Sequence, residues 1–173
     1  MNLFDTDTDN IIIINIDGKD IEMKLAMCFG KIFDNWLVSK CGRVWSFPKK
    51  RFLRGSIHSR KNPYIQLKIR TEEGYWEDGS GWVEPRPWNN PVHRKIMMHR
   101  LVIDTWKPLW DNPPEGITWE QWEIVRELDT VYNHISKVGS IDHIDNNKTN
   151  NHIDNLRRVN DWDNNFTRKE KGI

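Results

Sequence analysis

Apolar side chains occur in short runs separated by turn-forming residues, and this punctuation limits the folds open to the 173-residue chain more than any other feature. Ile11 to Ile14 leads through Asn15-Ile16 to Asp17-Gly18, after which Ile21, Met23 and Leu25 alternate with Asp20, Glu22 and Lys24. Asp-Gly between two such runs predicts a hairpin, because both central turn positions want a positive φ. Trp36 to Phe47 reads as two more short strands about a Lys40-Cys41-Gly42 turn, and Tyr64 to Arg70 alternates with period two. Runs of this kind fall far below the roughly 20 residues a membrane-crossing helix needs. No membrane partner is expected, and with no charged, apolar leader legible at the start, a cytoplasmic location is the expectation.

The remainder is less regular. Residues 73–92 are rich in Gly, Pro, Trp and acidic side chains and read as a long loop or insertion. Met97 to Trp106 is a short apolar run whose pattern leaves helix and strand open. Lys107 to Gly116 contains three prolines and is irregular; Thr118, with Gln121 three residues on, then predicts a capping box. Trp119, Trp122, Val125 and Leu128 would share one face of that helix. From about Val131 the pattern is strand-like, followed by a polar loop, a strand around Leu156 to Val159, and a last helix capped by Asn160. Cys28 and Cys41 allow one bridge at most and exclude a Cys-rich zinc ribbon; free thiols are expected.

A net charge of +1 conceals a sharp segregation. Between positions 40 and 70 stand Lys40, Arg43, Lys49, Lys50, Arg51, Arg54, Arg60, Lys61, Lys68 and Arg70, with no acid among them. Between 104 and 130 the balance reverses, with Asp104, Asp111, Glu115, Glu120, Glu123, Glu127 and Asp129 against Lys107 and Arg126. Folding alone does not require such sorting, whereas a polyanion needs a local cationic field. Trp45, Phe47, Phe52 and Tyr64 interleave the basic stretch, and Trp45 is the aromatic expected near nucleic acid.

The densest signal is IDHIDNNKTNNHIDNLRRVNDWDNN, Ile141 to Asn165. It combines an Asp142-His143 pair, a polar loop from Asp145 to Asn151, an Asn155-Leu156-Arg157-Arg158-Val159 strand, and Asn164. This segment resembles the HNH nuclease motif, in particular that of phage and intron-encoded HNH homing endonucleases. Upstream, WLVSKCGRVWSF is similar to the V-S-x-x-G sheet module of such enzymes, and MMHRLVIDTW to their H-R-L-V element. Asn146 stands where the family usually has Gly, and Arg158 where it usually has an aromatic residue.

The resemblance implies an α+β fold: an N-terminal antiparallel β-sheet DNA-binding region, residues 1–95, followed by a C-terminal ββα-metal (HNH) domain, residues 96–173, with a helical insertion near 117–129. It implies hydrolysis of DNA phosphodiesters to 5′-phosphate and 3′-hydroxyl ends, with one divalent metal ion, Mg²⁺ or Mn²⁺, as cofactor. The residue types suit that chemistry. A neutral imidazole with a pKa near ~6.5 can take a proton from water, so His143 is the candidate base. Asp142 and Asn164 offer oxygen donors for a hard cation, and the resemblance makes them metal ligands. Asn155 matches the motif's middle Asn and would brace the loop that carries the base.

Adjacent residues of a regular strand point to opposite faces, so Asp142 and His143 require the strand to end there or the phosphate to lie across its edge. Arg43, Lys49, Lys50, Arg51, Arg54, Arg60, Lys61, Arg157 and Arg158 are candidate phosphate contacts on double-stranded DNA. The remaining loop asparagines are expected to hold the turn, and His99 to be a packed structural residue. A monomer would nick, whereas a homodimer could cut both strands. The competing readings are a catalytically silent DNA-binding regulator and a restriction- or packaging-associated HNH nuclease.

Overall fold

In the computed structural model, which describes residues 10–61, 63–71, 75–77, 81–83 and 92–159, the first hairpin forms where the Asp-Gly pair places it. Strands β1 (Ile12–Ile16) and β2 (Lys19–Cys28) pair antiparallel, with Asp17 at φ 55° and Gly18 at φ 75°. Three more strands, β3 (Lys31–Ser39), β4 (Val44–Ser46) and β5 (Arg51–Phe52), complete a five-stranded sheet in sequence order. The turn between β3 and β4 closes through Ser39 N–H to Arg43 O (2.9 Å) and needs the positive φ of 78° at Gly42.

A second sheet orders β10 (Val92–Met97), β7 (Ile65–Thr71) and β6 (Ser56–Ile57). Within the stretch read as a loop, β8 (Tyr75–Glu77) and β9 (Gly81–Val83) form a hairpin of their own. The run at Met97 resolves into both alternatives: β10 ends at Met97 and helix α1 (Met98–Trp106) follows directly. Helix α2 (Trp119–Arg126) begins with the predicted capping box, Thr118 accepting from Gln121 N–H and Gln121 returning the bond. Of its expected apolar face only Trp122 is fully buried; Trp119 and Leu128 are about half exposed. The strand expected from Val131 is instead helix α3 (Asp129–Val138). Val131, Tyr132 and Ile135 suit a strand locally, but Tyr132 packs its ring against Trp110 and Trp122, a tertiary contact that overrides propensity. Two strands, β11 (Ser140–His143) and β12 (Leu156–Val159), then form an antiparallel ribbon.

One core joins these parts. Leu101, Val102 and Ile103 of α1 are fully buried against Ala26 and Cys28 of β2, Val38 of β3, Leu67 of β7, Ile141 of β11 and Leu156 of β12. Residues on both sides of position 95 therefore share the same interior. Polar anchors add direction to this packing. Thr105 Oγ1 accepts from Met27 N–H (2.9 Å), and Trp106 Nε1–H donates to Val38 O (3.1 Å). Asp104 is buried and double-ended, one oxygen accepting from Phe29 N–H (3.0 Å) and the other from Arg158 Nη2 (2.9 Å). Cys28 is buried and Cys41 is exposed, and no disulfide joins them. Among the described residues no helix is long and apolar enough to cross a membrane.

Candidate active site

Strand β11 stops at His143, and the chain turns at once, with Asn146 N–H donating to His143 O (2.8 Å). Asn146 has φ 61°, a conformation Asn tolerates better than most side chains. The loop returns to β12 held by Asn155. Its Oδ1 accepts from Asp145 N–H (3.0 Å), and its Nδ2 donates to Asp145 Oδ1 (2.9 Å) and Asn150 O (2.8 Å). Asp145 also accepts from Asn150 Nδ2 (2.7 Å) and Asn147 N–H (2.8 Å). The Asn150 amide, then the Asn147 N–H, hold its carboxyl below the ordinary carboxylate range. These bonds close the loop that follows His143 on itself.

His143 is 3% exposed and faces inward, whereas Asp142 beside it is half-buried on the other side of the ribbon. The two do alternate as a regular strand requires, and the strand ends at the second of them. His143 Nε2 lies 3.2 Å from Asn151 Oδ1. Asn151 Nδ2 donates to Thr149 O (3.2 Å), which turns the amide oxygen toward the imidazole. With an acceptor at Nε2, that nitrogen carries the hydrogen and Nδ1 carries the lone pair. Burial pushes the imidazole below its usual 6.5, against the opposing pull of the Asn151 bond and of Asp145 and Asp142, so the ring is neutral near pH 7. Tyr64 and His99 wall it, at ring-centre distances of 5.8 and 5.3 Å, and the Lys148 ammonium sits over Tyr64 at 4.9 Å.

The first sheet reaches this site through its β3–β4 turn. Ile153 N–H donates to Lys40 O (2.8 Å), and a Cβ added at Gly42 would meet Asn151 Cβ at 3.0 Å. Gly42 is therefore needed twice, for its φ and for close approach to the residue that orients His143. From the sequence Gly42 reads as a turn residue, Tyr64 as an aromatic of the basic stretch and Asn151 as a loop former, none of them tied to His143. The V-S-x-x-G spacing marks the turn, but its target became visible only in three dimensions.

Asp142 accepts from Arg157 Nε (3.0 Å) and Nη2 (2.8 Å), both at Oδ2. Arg157 is therefore engaged beside the site rather than presented outward. Arg158 corrects an expectation: it is 7% exposed, paired with Asp104 and donating to Lys107 O, so its charge belongs to the core and not to a phosphate. Arg43, Lys49, Lys50, Arg51, Arg54, Arg60 and Lys61 are all exposed. The Arg43 guanidinium lies over Phe52 at 3.7 Å, and Trp45, half-buried, meets the same ring edge-on at 5.2 Å. Asn164 and the helix expected to carry it lie outside the described residues.

Among the described residues no group of three or more His, Cys, Asp or Glu is placed to hold a metal ion. A site assembled from Asp142 and an amide oxygen suits a hard divalent cation that keeps much of its water, which is the behaviour of Mg²⁺ and Mn²⁺. The unshared Asp142 oxygen, Oδ1, is the donor that fits this use, since the Arg157 bonds fall on Oδ2.

No family model and no curated protein matches the chain. Its fold is similar to a chain in the solved structure described as "DNA binding and cleavage by the HNH homing endonuclease I-HmuI", with 22% identity over 80% of this chain and a TM-score of 0.45. The alignment covers 53% of that chain, so the protein spans about half the length of its structural neighbour.

Proposed function

We propose that the protein is a metal-dependent DNA endonuclease of the HNH type, hydrolysing phosphodiester bonds to 5′-phosphate and 3′-hydroxyl ends, and that it serves as a homing endonuclease. The observation that carries this reading is the neutral His143 imidazole, buried, fixed at Nε2 by Asn151, and mounted on a loop that Asn155 closes. A histidine held in one tautomer with its other nitrogen bearing a lone pair is what a general base requires. Asp142, on the strand position before it, would hold the cation together with Asn164, an assignment that rests on the motif. The cation, when bound, supplies charge stabilisation at the phosphate and the leaving oxygen.

His143 takes the proton from the attacking water at Nδ1. Asn151 keeps that nitrogen unprotonated, and Asn155 keeps the loop from drifting. Arg43, Lys49, Lys50, Arg51, Arg54, Arg60 and Lys61, exposed on and beside the first sheet, would contact DNA phosphates without reading bases. Supercoiled plasmid incubated with Mg²⁺ or Mn²⁺ tests the reading. Relaxed or linear product whose ends ligate only through 5′-phosphates is expected; plasmid that stays supercoiled under both metals while still being bound would leave a DNA-binding regulator.

A further inference from the structure

Arg157 stands opposite Asp142 in the β11–β12 ladder and closes two of its nitrogens on one carboxylate oxygen. Its remaining terminal nitrogen, Nη1, lies 2.9 Å from Glu115 Oε2. Glu115 comes from the proline-rich stretch before α2, whose place in the fold is fixed where Glu115 N–H donates to Arg158 O (2.9 Å). The stretch therefore lies alongside β12 and delivers an acid to the far side of the arginine. A guanidinium is a planar, rigid fork, so acceptors at both ends stop it from rotating. Fastened in this way, it holds Asp142 by Oδ2 and aims Oδ1 elsewhere.

We infer that Arg157 and Glu115 are positioning residues for Asp142: Glu115 holds the guanidinium, the guanidinium holds one carboxylate oxygen, and the other oxygen is presented to a divalent cation. This rests on the proposed function, in which Asp142 is a metal ligand. The charges point the same way. Two carboxylates around one guanidinium leave a net negative charge to attract the cation, whereas Arg157 with Asp142 alone would be neutral. The acidic stretch thus acquires a role in tuning a ligand it does not touch, and Arg157 ceases to be a phosphate contact.

Mn²⁺ binding to the full chain without DNA, followed by electron paramagnetic resonance of the free ion, tests this. Arg157→Lys keeps the charge and loses the fork, and should weaken Mn²⁺ binding roughly tenfold, as removal of a ligand's supporting partner typically does. Glu115→Gln should weaken it by about two- to threefold, less at high salt, because Glu115 is exposed. Asp142→Asn should lose binding altogether. If Arg157→Lys and Glu115→Gln bind Mn²⁺ like wild type while Asp142→Asn does not, the relay is wrong and the nuclease reading stands. Weaker DNA binding by Arg157→Lys with unchanged Mn²⁺ affinity returns Arg157 to the phosphate and overturns the relay. Wild-type Mn²⁺ binding by Asp142→Asn ends both. Should Arg157→Lys lose its native circular dichroism, Glu115→Gln decides alone.

Discussion

Residues 143–155 and residues 47–61 are both polar and both lie between short strands, yet they hold their side chains in contrary ways. In the first, Asp145, Asn147, Asn150, Asn151 and Asn155 are tied to one another and to the backbone, and His143 is nearly sealed from water. In the second, Lys49, Lys50, Arg51, Arg54, Arg60 and Lys61 stand in solvent, Arg51 on the two-residue strand β5 and the others in the turns and loops around β5 and β6. Proton transfer demands a fixed geometry, which bonded amides supply. A backbone of evenly spaced phosphates demands charge within reach and little else.

The contrast breaks most visibly at His143. His143→Ala should lower cleavage by about 10² to 10⁴, the usual worth of a general base, while DNA affinity in EDTA stays near wild type. Single-turnover cleavage beside filter binding on the same preparations checks this. A mutant that cleaves normally would mean that the bonded loop serves some other end.

Next in size is the support beneath the loop. Removing one partner of a buried ion pair costs about 3–5 kcal/mol, because the other charge stays buried and unpaired. Asp104→Ala strands Arg158 and orphans Phe29 N–H, so a fall in thermal midpoint of about 10 °C is expected by calorimetry. The equivalent truncation of Arg51, in the open segment, should move the midpoint by little, since exposed charges contribute within about 0.5 kcal/mol.

Legibility in the sequence followed the distance over which a bond reaches. Asp145, Asn147, Asn150 and Asn155 bond within ten residues of one another, so the loop's form could be read from its own letters. The Asp17-Gly18 turn and the Thr118–Gln121 capping box were readable for the same reason. Arg158 was misread because its partner, Asp104, lies 54 positions upstream. Helix α3 was misread because Tyr132 meets Trp110, far along the chain, and the match of Gly42 to Asn151 spans still more.

A smaller effect tests the open segment directly. Lys49→Ala, Lys50→Ala and Arg51→Ala combined should weaken DNA binding similarly for every sequence. The slope of log affinity against log salt should fall by up to about three, near one per lost phosphate contact. Cleavage at saturating DNA should hold, since none of the three touches His143 or Asp142. A loss confined to one target sequence would show that the segment reads bases.

The smallest effect is a pH dependence on the sealed side. His99 packs against Tyr64 (5.0 Å) and His143 (5.3 Å), and its Nδ1 is buried with no hydrogen-bond partner among the described residues. Burial first, then the charges of His143 and Arg100, push its pKa down from 6.5 to about 3. The folded chain therefore binds fewer protons than the unfolded chain between those values. Its contribution is complete above pH 6.5 and is lost as the pH falls toward 3, by up to about 1.4 kcal/mol per unit. Urea unfolding at pH 7.5 and 5.5 should reveal the loss in wild type and a shallower one in His99→Phe, with the lowered His143 supplying what remains. An unchanged slope in His99→Phe would place the acid sensitivity elsewhere, and the wall beside the imidazole would then be packing alone.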